Sequence, residues 1–328
     1  MSDDDLAKSI LRDLRRKTSY SSLLTKYGID EIKLEGILQL LELDGYEFSE
    51  IENDNGRTIS KKNTHNSERI LKPLMSELEH IRFCVVSDTH MGNKLDQRTL
   101  LNRVYQEAYD RGIDTVIHCG DITDGDYRNR RPAHPYELYA QGATEQIDNV
   151  VYNYPYVKDI TTYLTSGNHD RTHMMNGGYN ICKGIAERRS DIIFLGGDEA
   201  IVYLGKARVP ILIKHPDDGS SKAFSYKLQE AINNLDESNE AKVIIMGHYH
   251  KSYFMYYGER YVIMAPCLVD QSDFMKGKSL KNVVGALFID LYVNKRGDIE
   301  YFNYDELRFT DKDIIKNDYL QAKRLVIK

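Results

Sequence analysis

The chain has 328 residues, of which 41% are hydrophobic, and its formal net charge is −6 at pH 7. This length favours two domains, and the net negative charge argues against a protein that coats nucleic acid with its whole surface. No apolar stretch approaches about 18 residues, and the acidic N-terminus lacks the apolar segment of a secretory signal, so we expect a cytoplasmic protein without a membrane span.

Residues 1–66 have the pattern of a small helical domain. Apolar residues at helical spacing predict a first helix near the N-terminus, a short second helix that ends at Gly28, and a longer third helix with Asp30 as its N-cap. Two helices joined by a tight turn indicate a helix-turn-helix. The polar, strand-like stretch after residue 46 predicts a hairpin that could serve as its wing.

The role of this domain stays open between DNA binding and protein docking. A helix-turn-helix often binds DNA, but the presumed recognition helix carries acidic side chains that would repel phosphates: Asp30, Glu31, Glu35, Glu42 and Asp44. The clear basic cluster lies earlier, at Arg12, Arg15, Arg16 and Lys17.

We predict a linker over residues 67–80 and a catalytic domain over residues 81–328. From residue 81, β-branched runs alternate with amphipathic segments, which predicts βαβ units around a mainly parallel sheet. Helices are expected over residues 95–112, 135–155 and 179–191. The apolar runs after residue 240 follow one another with few helices and are expected to form a second sheet with antiparallel pairs.

Side chains that can bind metals follow five of the predicted strands. The motifs are SDTH at 87–90, GD at 120–121, GNHD at 167–170, a histidine at 215 and GHYH at 247–250. Ligand sites in open α/β sheets lie at the carboxyl ends of strands, so we expect these residues to meet. In D-x-H and H-x-H, alternate residues of an extended segment share one face, and the preceding glycines are expected to permit sharp turns.

The candidate ligands combine imidazoles, carboxylates and one amide: Asp88, His90, Asp121, Asn168, His215, His248 and His250. Such a set suits Mn, Fe, Zn or Ni better than Ca. Seven ligands are too many for one tetrahedral ion but fit two ions with a shared carboxylate. Two divalent ions with two aspartates leave a charge of about +2, which favours a phosphate that bridges ions about 4 Å apart.

In this order, the motifs resemble those of the calcineurin-like metallophosphoesterase superfamily, over about residues 81–270. Their form is most similar to the nuclease subunits of double-strand-break repair exonucleases and to bacterial and phage metallophosphoesterases. The resemblance implies an α/β fold, namely a four-layer α/β/β/α sandwich with the final strands in its second sheet. It also implies two divalent metal ions, of which Mn is the favoured element. His215 lacks the glycine that often follows this histidine in the family.

The resemblance also implies roles for individual residues. It assigns one metal to Asp88, His90 and His250, the other to Asn168, His215 and His248, and a bridge between them to Asp121. His169 would be the catalytic residue at the leaving oxygen, and Asp170 would orient its neighbours. The ions would lower the pKa of a water molecule and neutralise phosphate oxygens.

The segment after the second motif contributes residues whose roles stay open. Its arginines could hold a phosphate or form a solvated loop together with His134: Arg128, Arg130 and Arg131. Its tyrosines could stack on a base or pack internally: Tyr127, Tyr136 and Tyr139. We expect His118 to be a core histidine, whereas His173 could face the substrate or pack internally.

Three functions compete. A phosphodiesterase or nuclease that acts on DNA is favoured by the form of the motifs and by the N-terminal domain. A phosphatase or phosphodiesterase that acts on small molecules or phosphoproteins would use the same metals, and a non-catalytic scaffold is the third alternative. The partners expected are a phosphoester substrate, DNA as its favoured form, and a second copy of the chain, with no membrane.

Overall fold

The computed structural model describes residues 3–44, 46–53, 56–62, 77–219, 221, 223–236 and 238–328. The chain divides into two compact units, Met1–Leu74 and Met75–Lys328. Most of the predicted linker, residues 67–80, lies outside the described residues, so its role as a linker stays a prediction.

The described part of the N-terminal unit combines helices with an antiparallel sheet of strand order β1-β3-β2. Its elements are α1 (Asp3–Asp13), β1 (Thr18–Ser19), α2 (Tyr20–Tyr27), α3 (Glu31–Leu43), β2 (Phe48–Asn53) and β3 (Gly56–Lys61). As predicted, Gly28 ends α2 in the left-handed conformation, and the Asp30 side chain caps α3 by accepting a hydrogen bond from the Lys33 N–H. The predicted hairpin is β2–β3. The helix-turn-helix assignment itself stays a prediction.

The surface of α3 bears on the choice between DNA and protein as its partner. The helix buries Leu34 and Ile37 in the core of the N-terminal unit, against residues of α1, α2 and β3. On its other side, Ile32, Leu40 and Leu43 are 83%, 61% and 85% exposed. Exposed apolar side chains beside acidic ones favour contact with a protein over contact with phosphates.

The larger unit is built from strands and helices that alternate along much of the chain. Its strands are β4 (Glu79–Val86), β5 (Thr115–His118), β6 (Tyr156–Val157), β7 (Thr161–Thr165), β8 (Ile192–Gly196), β9 (Glu199–Leu204), β10 (Val209–Lys214), β11 (Val243–Met246), β12 (Tyr253–Tyr257), β13 (Arg260–Met264), β14 (Val284–Val293), β15 (Ile299–Phe309) and β16 (Val326–Ile327). Its α-helices are α4 (Arg98–Asp110), α5 (Gly142–Asn153), α6 (Arg171–Gly177), α7 (Ile181–Arg188), α8 (Phe224–Asn233) and α9 (Asp273–Gly277). Short 3-10 helices span His134–Glu137 and Asp318–Leu320.

Two sheets pack face to face in this unit. The first has the order β15-β14-β4-β5-β7-β8 and the second the order β12-β13-β11-β10-β9. Val85 and Ile117 of the first sheet share a buried cluster with Ile213 and Ile245 of the second. The outer face of the first sheet packs against α4, α5 and α7, and that of the second packs against α8. The predicted α/β/β/α sandwich is confirmed.

The strands that precede the five motifs are parallel neighbours within their sheets. In the first sheet β4, β5 and β7 run side by side, and in the second sheet β10 pairs with β11. Each of these strands is short and largely buried, which agrees with its β-branched, apolar sequence. Their carboxyl ends deliver the motif residues.

The helix expected over residues 135–155 forms only in its second half, as α5. Residues 138–140 instead join the loop after β4: the Tyr139 N–H donates to the Gly92 carbonyl at 2.9 Å, and Leu138 forms a β-bridge with Asn93. This long-range pairing competes with local helix formation. The short helix α6 and the helix α8 were not predicted.

The expectation that the final strands belong to the second sheet was wrong. β14 pairs antiparallel with β4, from Leu287 opposite Val85 to Val293 opposite Glu79, and β15 pairs with β14. Successive residues of β14 enter the two opposite cores of the sandwich. A strand that is apolar on both faces needs a position inside a covered sheet. The second sheet is parallel at its centre and antiparallel only at its edges.

Among the described helices, none combines the length and the apolar character that a membrane crossing requires.

We predict that deletion of residues 1–66 leaves the hydrolysis of bis-p-nitrophenyl phosphate intact, because the N-terminal unit and the catalytic unit each have their own buried cores. Activity assays and thermal unfolding of the truncated protein would measure this. Loss of activity together with unfolding of the remaining chain would contradict the assignment of separate domains.

Candidate metal centre

The loops that follow β4 and β5 run side by side at the edge of the first sheet. The Asp88 N–H donates to the Gly120 carbonyl at 3.0 Å, and the Met91 N–H donates to the Ile122 carbonyl at 2.9 Å. These bonds continue the pairing of β4 with β5 beyond the strands. The loops therefore hold the SDTH and GD motifs in fixed register.

Three predicted ligands form a first cluster: Asp88, His90 and His250. The Oδ1 atom of Asp88 lies 3.1 Å from Nε2 of His250 and 3.8 Å from Nε2 of His90. The two Nε2 atoms are 3.3 Å apart. Three potential ligand atoms thus converge on one point.

Four predicted ligands form a second cluster. The Oδ2 atom of Asp121 lies 3.1 Å from Nε2 of His215. The Oδ1 atom of Asn168 lies 3.2 Å from that nitrogen and 2.8 Å from Nδ1 of His248. His215 thus joins the cluster although no glycine follows it.

The two clusters adjoin at Asp121. Its Oδ2 atom is 3.9 Å from Nε2 of His90 in the first cluster as well as 3.1 Å from His215 in the second. The structure brings all seven predicted ligands together at one edge of the sandwich.

The backbone at the motifs is not extended, contrary to the expectation from the D-x-H and H-x-H spacing. Five candidate ligands have positive φ angles between 43° and 76°: Asp88, His90, Asp121, His248 and His250. Left-handed backbone costs of order 1–3 kcal/mol for a non-glycine residue and concentrates at functional sites. The left-handed backbone, and not a shared strand face, sets the directions of these side chains: Asp88 and His90 both enter the first cluster, whereas His250 enters the first and His248 the second.

The glycines also act differently from the expectation. Gly120 does have a positive φ, of 91°, but Gly167 and Gly247 do not. A Cβ atom on Gly167 would collide with the Asp121 carboxylate, and one on Gly247 would lie 2.5 Å from the Cys119 carbonyl oxygen. These two positions need glycine because the loops pass so close to one another.

Hydrogen bonds orient the candidate ligands. The Asn168 amide donates to the Tyr127 hydroxyl at 2.8 Å, which turns Oδ1 towards His215 and His248. The Nδ1 atom of His215 lies 2.6 Å from the Cys119 carbonyl oxygen, which leaves Nε2 to face Asp121. Groups of this kind hold an imidazole in the tautomer that a metal requires. Tyr127 therefore orients a candidate ligand, a role that we did not predict.

Asp124 is a functional residue that the sequence analysis missed. Its carboxylate lies 2.8 Å from Nδ1 of His90 and 2.9 Å from Nε2 of His134, and its backbone carbonyl lies 2.8 Å from Nδ1 of His169. Its location three residues after Asp121 was the available signal. Only the fold shows that this one carboxylate lies within hydrogen-bond distance of two imidazoles.

His169 and Asp170 lie at different depths. His169 lines the pocket, and its ring packs edge-on against those of His90 and Tyr127. Asp170 is buried and accepts hydrogen bonds from the N–H groups of Ile122, Thr123 and Gly167. It therefore ties the GNHD loop to the GD loop and lies away from the pocket lining.

Neighbouring imidazoles favour the ionised form of the Asp121 carboxylate. Burial would raise the pKa of Asp121, but His215 and His169 hold it well below its usual value. Burial would lower the pKa of His169, but Asp121 and Asp124 outweigh that effect and raise it to about 9. His215 behaves in the same way: burial would lower its pKa, but Asp121 outweighs this effect and raises the pKa to about 9.

The residues present fit divalent cations. The Oδ1 atom of Asp88 is buried and makes no well-aligned hydrogen bond among the described residues; its neighbours are Nε2 of His250 and Nε2 of His90. A cation between these three atoms would give the charged oxygen the partner that a buried charge requires. The Asn168 amide presents its oxygen, and not its nitrogen, to the second cluster. The mixed nitrogen and oxygen donors agree with a transition metal.

The residues with open roles have separate outcomes. His118 is fully buried and lies 3.1 Å from the Thr89 hydroxyl, as expected for a core histidine. His173 is buried beside Gln146, which favours the packing alternative.

In the segment after the second motif, Arg131 lines the pocket and pairs with Glu137, whereas Arg128 is exposed and pairs with Asp126. Tyr136 is exposed, and Tyr139 stacks on Tyr319.

An open pocket of about 540 Å³ covers the two clusters. Its lining includes His90, Asp121 and His169, and also Tyr249, Lys251 and several residues between 269 and 281. Ligand pockets of comparable size usually admit small molecules or parts of larger substrates.

A sandwich of two sheets with an Asp/His/Asn site at the carboxyl ends of its strands defines a metal-dependent phosphoester hydrolase. The family model described as calcineurin-like phosphoesterase matches residues 81–252, just over half of the chain. The chain belongs to this family, and the resemblance predicted from the motifs is confirmed.

Several solved structures are similar to this chain. A novel archaeal phosphodiesterase is 17% identical over 70% of this chain and 100% of that chain, with a TM-score of 0.41. A phosphoesterase from E. coli is 16% identical over 68% and 98%, with a TM-score of 0.37. A 5′-nucleotidase precursor from Thermus thermophilus is 12% identical over 74% and 57%, with a TM-score of 0.38. None of the curated proteins compared with the chain matches it.

We predict that Gly167→Ala lowers turnover by ~10²-fold, the scale of a small displacement of catalytic groups, because the new Cβ would displace the Asp121 carboxylate. Metal analysis and turnover of the purified variant would measure the effect. The matched control is Gly177→Ala, in α6, where an added Cβ meets no atom within 4 Å. Wild-type turnover by Gly167→Ala would contradict the close approach of the two loops.

Proposed function

We propose that this protein is a phosphodiesterase that uses two divalent metal ions and that DNA is its favoured substrate. Mn²⁺ is the favoured ion. The observation that carries the proposal is the position of Asp121 Oδ2, within 3.9 Å of His90 Nε2 and 3.1 Å of His215 Nε2. One carboxylate oxygen between two ligand groups supports a shared bridge. Asp88, His90 and His250 would hold one ion, and Asn168, His215 and His248 the other.

When bound, the two ions would supply Lewis-acid stabilisation of the phosphate oxygens and would lower the pKa of a water molecule to ~7. The chain contributes orientation: Asp124, Tyr127 and the Cys119 carbonyl oxygen hold three ligand side chains in place. The buried Asp170 keeps the GNHD loop at a fixed distance from the GD loop. Such preorganisation removes the need for the site to reorganise during reaction.

His169 is the proposed proton donor. Its Nδ1 atom lies 2.8 Å from the Asp124 carbonyl oxygen, so Nδ1 carries a proton and Nε2 remains for the substrate. The Asp124 carboxylate, with Oδ1 at 3.4 Å from Nδ1, favours the protonated form of the imidazole. His169 would therefore donate a proton from Nε2 to the leaving oxygen.

A diester is favoured over a monoester because the pocket extends well beyond the clusters. Beyond the candidate ligands, its lining adds positive charge from Lys251, Lys278 and Lys281, and apolar surface from Val269 and Leu280. The second ester group of a diester could contact these residues, and a monoester has no such group. The proposal also keeps a homodimer and a cytoplasmic location as expectations from the family and from the sequence.

The test compares bis-p-nitrophenyl phosphate, p-nitrophenyl phosphate and linear DNA as substrates of the Mn²⁺-loaded protein. We expect hydrolysis of the diester and of DNA. Rapid hydrolysis of the monoester with DNA left intact would support the alternative, a phosphatase that acts on small molecules or phosphoproteins. Hydrolysis of none of these esters would support a non-catalytic scaffold.

We predict that His169→Ala lowers the turnover of bis-p-nitrophenyl phosphate by at least ~10²-fold, the usual scale for the loss of a general acid. The metal content should stay near that of the wild type, because His169 is not among the seven proposed ligands. Steady-state kinetics and metal analysis of the same preparation would check both statements. A variant that loses its metal would refute the separation of roles.

A further inference from the structure

The pocket over the two clusters of candidate metal ligands adjoins a second pocket that the proposed chemistry does not use. We call these two groups of side chains the metal clusters. This second pocket has a volume of about 380 Å³ and is lined by Phe224, Lys227 and Met264, among others. Four residues line both pockets: Tyr249, Lys251, Leu280 and Lys281. We call these four residues the Lys251 ridge, because they separate the pockets.

The ridge begins directly beside a candidate metal ligand. Lys251 follows His250 in the chain, and consecutive Cα atoms are about 3.8 Å apart. On the other side, the His250 carbonyl accepts a hydrogen bond from the Val283 N–H at 2.9 Å, which holds the segment after Lys281 against the same loop. A group bound at the ridge would therefore adjoin whatever the metal clusters hold.

The ridge presents positive charge. Lys227, in the second pocket, is neutralised by Asp218 at 2.6 Å and Glu230 at 3.0 Å. Within the described part of the chain, Lys251 and Lys281 have no carboxylate at ion-pair distance.

Carboxylates near the ridge accept hydrogen bonds or pair with groups other than its two lysines. Asp218 also accepts a hydrogen bond from the Tyr249 hydroxyl, Glu137 pairs with Arg131, and Asp270 accepts one from the Gln271 N–H. The lysines of the ridge are thus able to pair with an anion.

The second pocket adds an aromatic surface. Phe224 begins α8 and is 41% exposed, and the Nζ atom of Lys251 lies 5.5 Å from the centre of its ring. The Phe224 ring makes an edge-to-face contact with Tyr253, and the buried Met264 lines the same pocket. An exposed ring next to a cation matches a nucleotide, which carries a base and a phosphate.

We propose that the Lys251 ridge and the second pocket bind the nucleotide next to the scissile phosphate of a single-stranded nucleic acid. Lys251 and Lys281 pair with the neighbouring phosphate, and Phe224 stacks on the base. A paired base is stacked inside its duplex, so a base that reaches Phe224 must come from an unpaired strand. This inference rests on the proposed function, because the metal clusters must hold the scissile phosphate.

The experiment compares a fluorescent oligothymidylate, an abasic strand of equal length and bis-p-nitrophenyl phosphate as substrates of the Mn²⁺-loaded full chain. The variants are Lys251→Ala with Lys281→Ala, and separately Phe224→Leu. The matched control is Lys295→Ala. Lys295 is exposed in the turn after β14. This end of β14 pairs with the start of β4, whereas the candidate ligands follow the end of β4, so Lys295 lies at the opposite edge of the sheet.

For the double lysine variant, kcat/KM for the strand relative to bis-p-nitrophenyl phosphate should fall by about tenfold or more, the scale of one charged hydrogen bond. For the strand, the slope of log kcat/KM against log salt concentration should decrease in magnitude by ~0.7, the value for one phosphate contact on a single strand. Phe224→Leu should lower kcat/KM about fivefold or more on the oligothymidylate relative to the abasic strand. Lys295→Ala should match the wild type in every ratio.

Two results would overturn the inference and leave the phosphodiesterase proposal in place. One is a wild-type protein that hydrolyses bis-p-nitrophenyl phosphate but no strand. The other is a double lysine variant with an unchanged substrate ratio and an unchanged salt slope. Equal effects of Phe224→Leu on the two strands would overturn the stacking of the base. A wild-type protein that hydrolyses none of the three substrates would instead refute the proposed function.

Discussion

The buried carboxylate of Asp121 is the constraint on which the rest of the site depends. Its Oδ1 atom accepts the His169 N–H at 2.8 Å, and its Oδ2 atom faces His215 and, further away, His90. A buried charge is costly unless it is paired, so the surrounding imidazoles and N–H groups must converge on this residue. The absence of a side chain at Gly167 makes room for the carboxylate.

Strained loops around this carboxylate are held by bonds that do not involve the ligand atoms. The left-handed residues of the SDTH and GD motifs belong to loops that continue the β4–β5 pairing through backbone hydrogen bonds. Asp170 and Asp124 then fix the third loop and the imidazole rings. The rigid sandwich beneath the loops supplies the stability that such strain requires.

The same architecture separates chemistry from specificity. Side chains from the loops that follow β4, β5, β7, β10 and β11 form the clusters. Much of the remaining pocket lining comes from Tyr249, Lys251 and the segment that precedes β14. Lys251 belongs to both regions, since it follows a candidate ligand and lines the second pocket. The candidate metal centre accounts for the class of reaction, and the rest of the pocket lining offers contacts that could distinguish one phosphoester from another. The apolar, acidic surface of α3 offers little to a phosphate backbone.

The sequence by itself determined the strands before the motifs, the seven candidate ligands and His169, because short apolar runs and metal-competent residues directly after them are local patterns. It also determined the caps of α2 and α3. Only the tertiary structure decided that β14 lies beside β4, that residues 138–140 leave the helix to pair with the Gly92 loop, and that Asp124 and Tyr127 orient ligands. It likewise decided the left-handed backbone of the ligands and the adjoining pockets at Lys251. Each of these depends on contacts between residues distant in the chain, whose geometry local propensity and spacing do not encode.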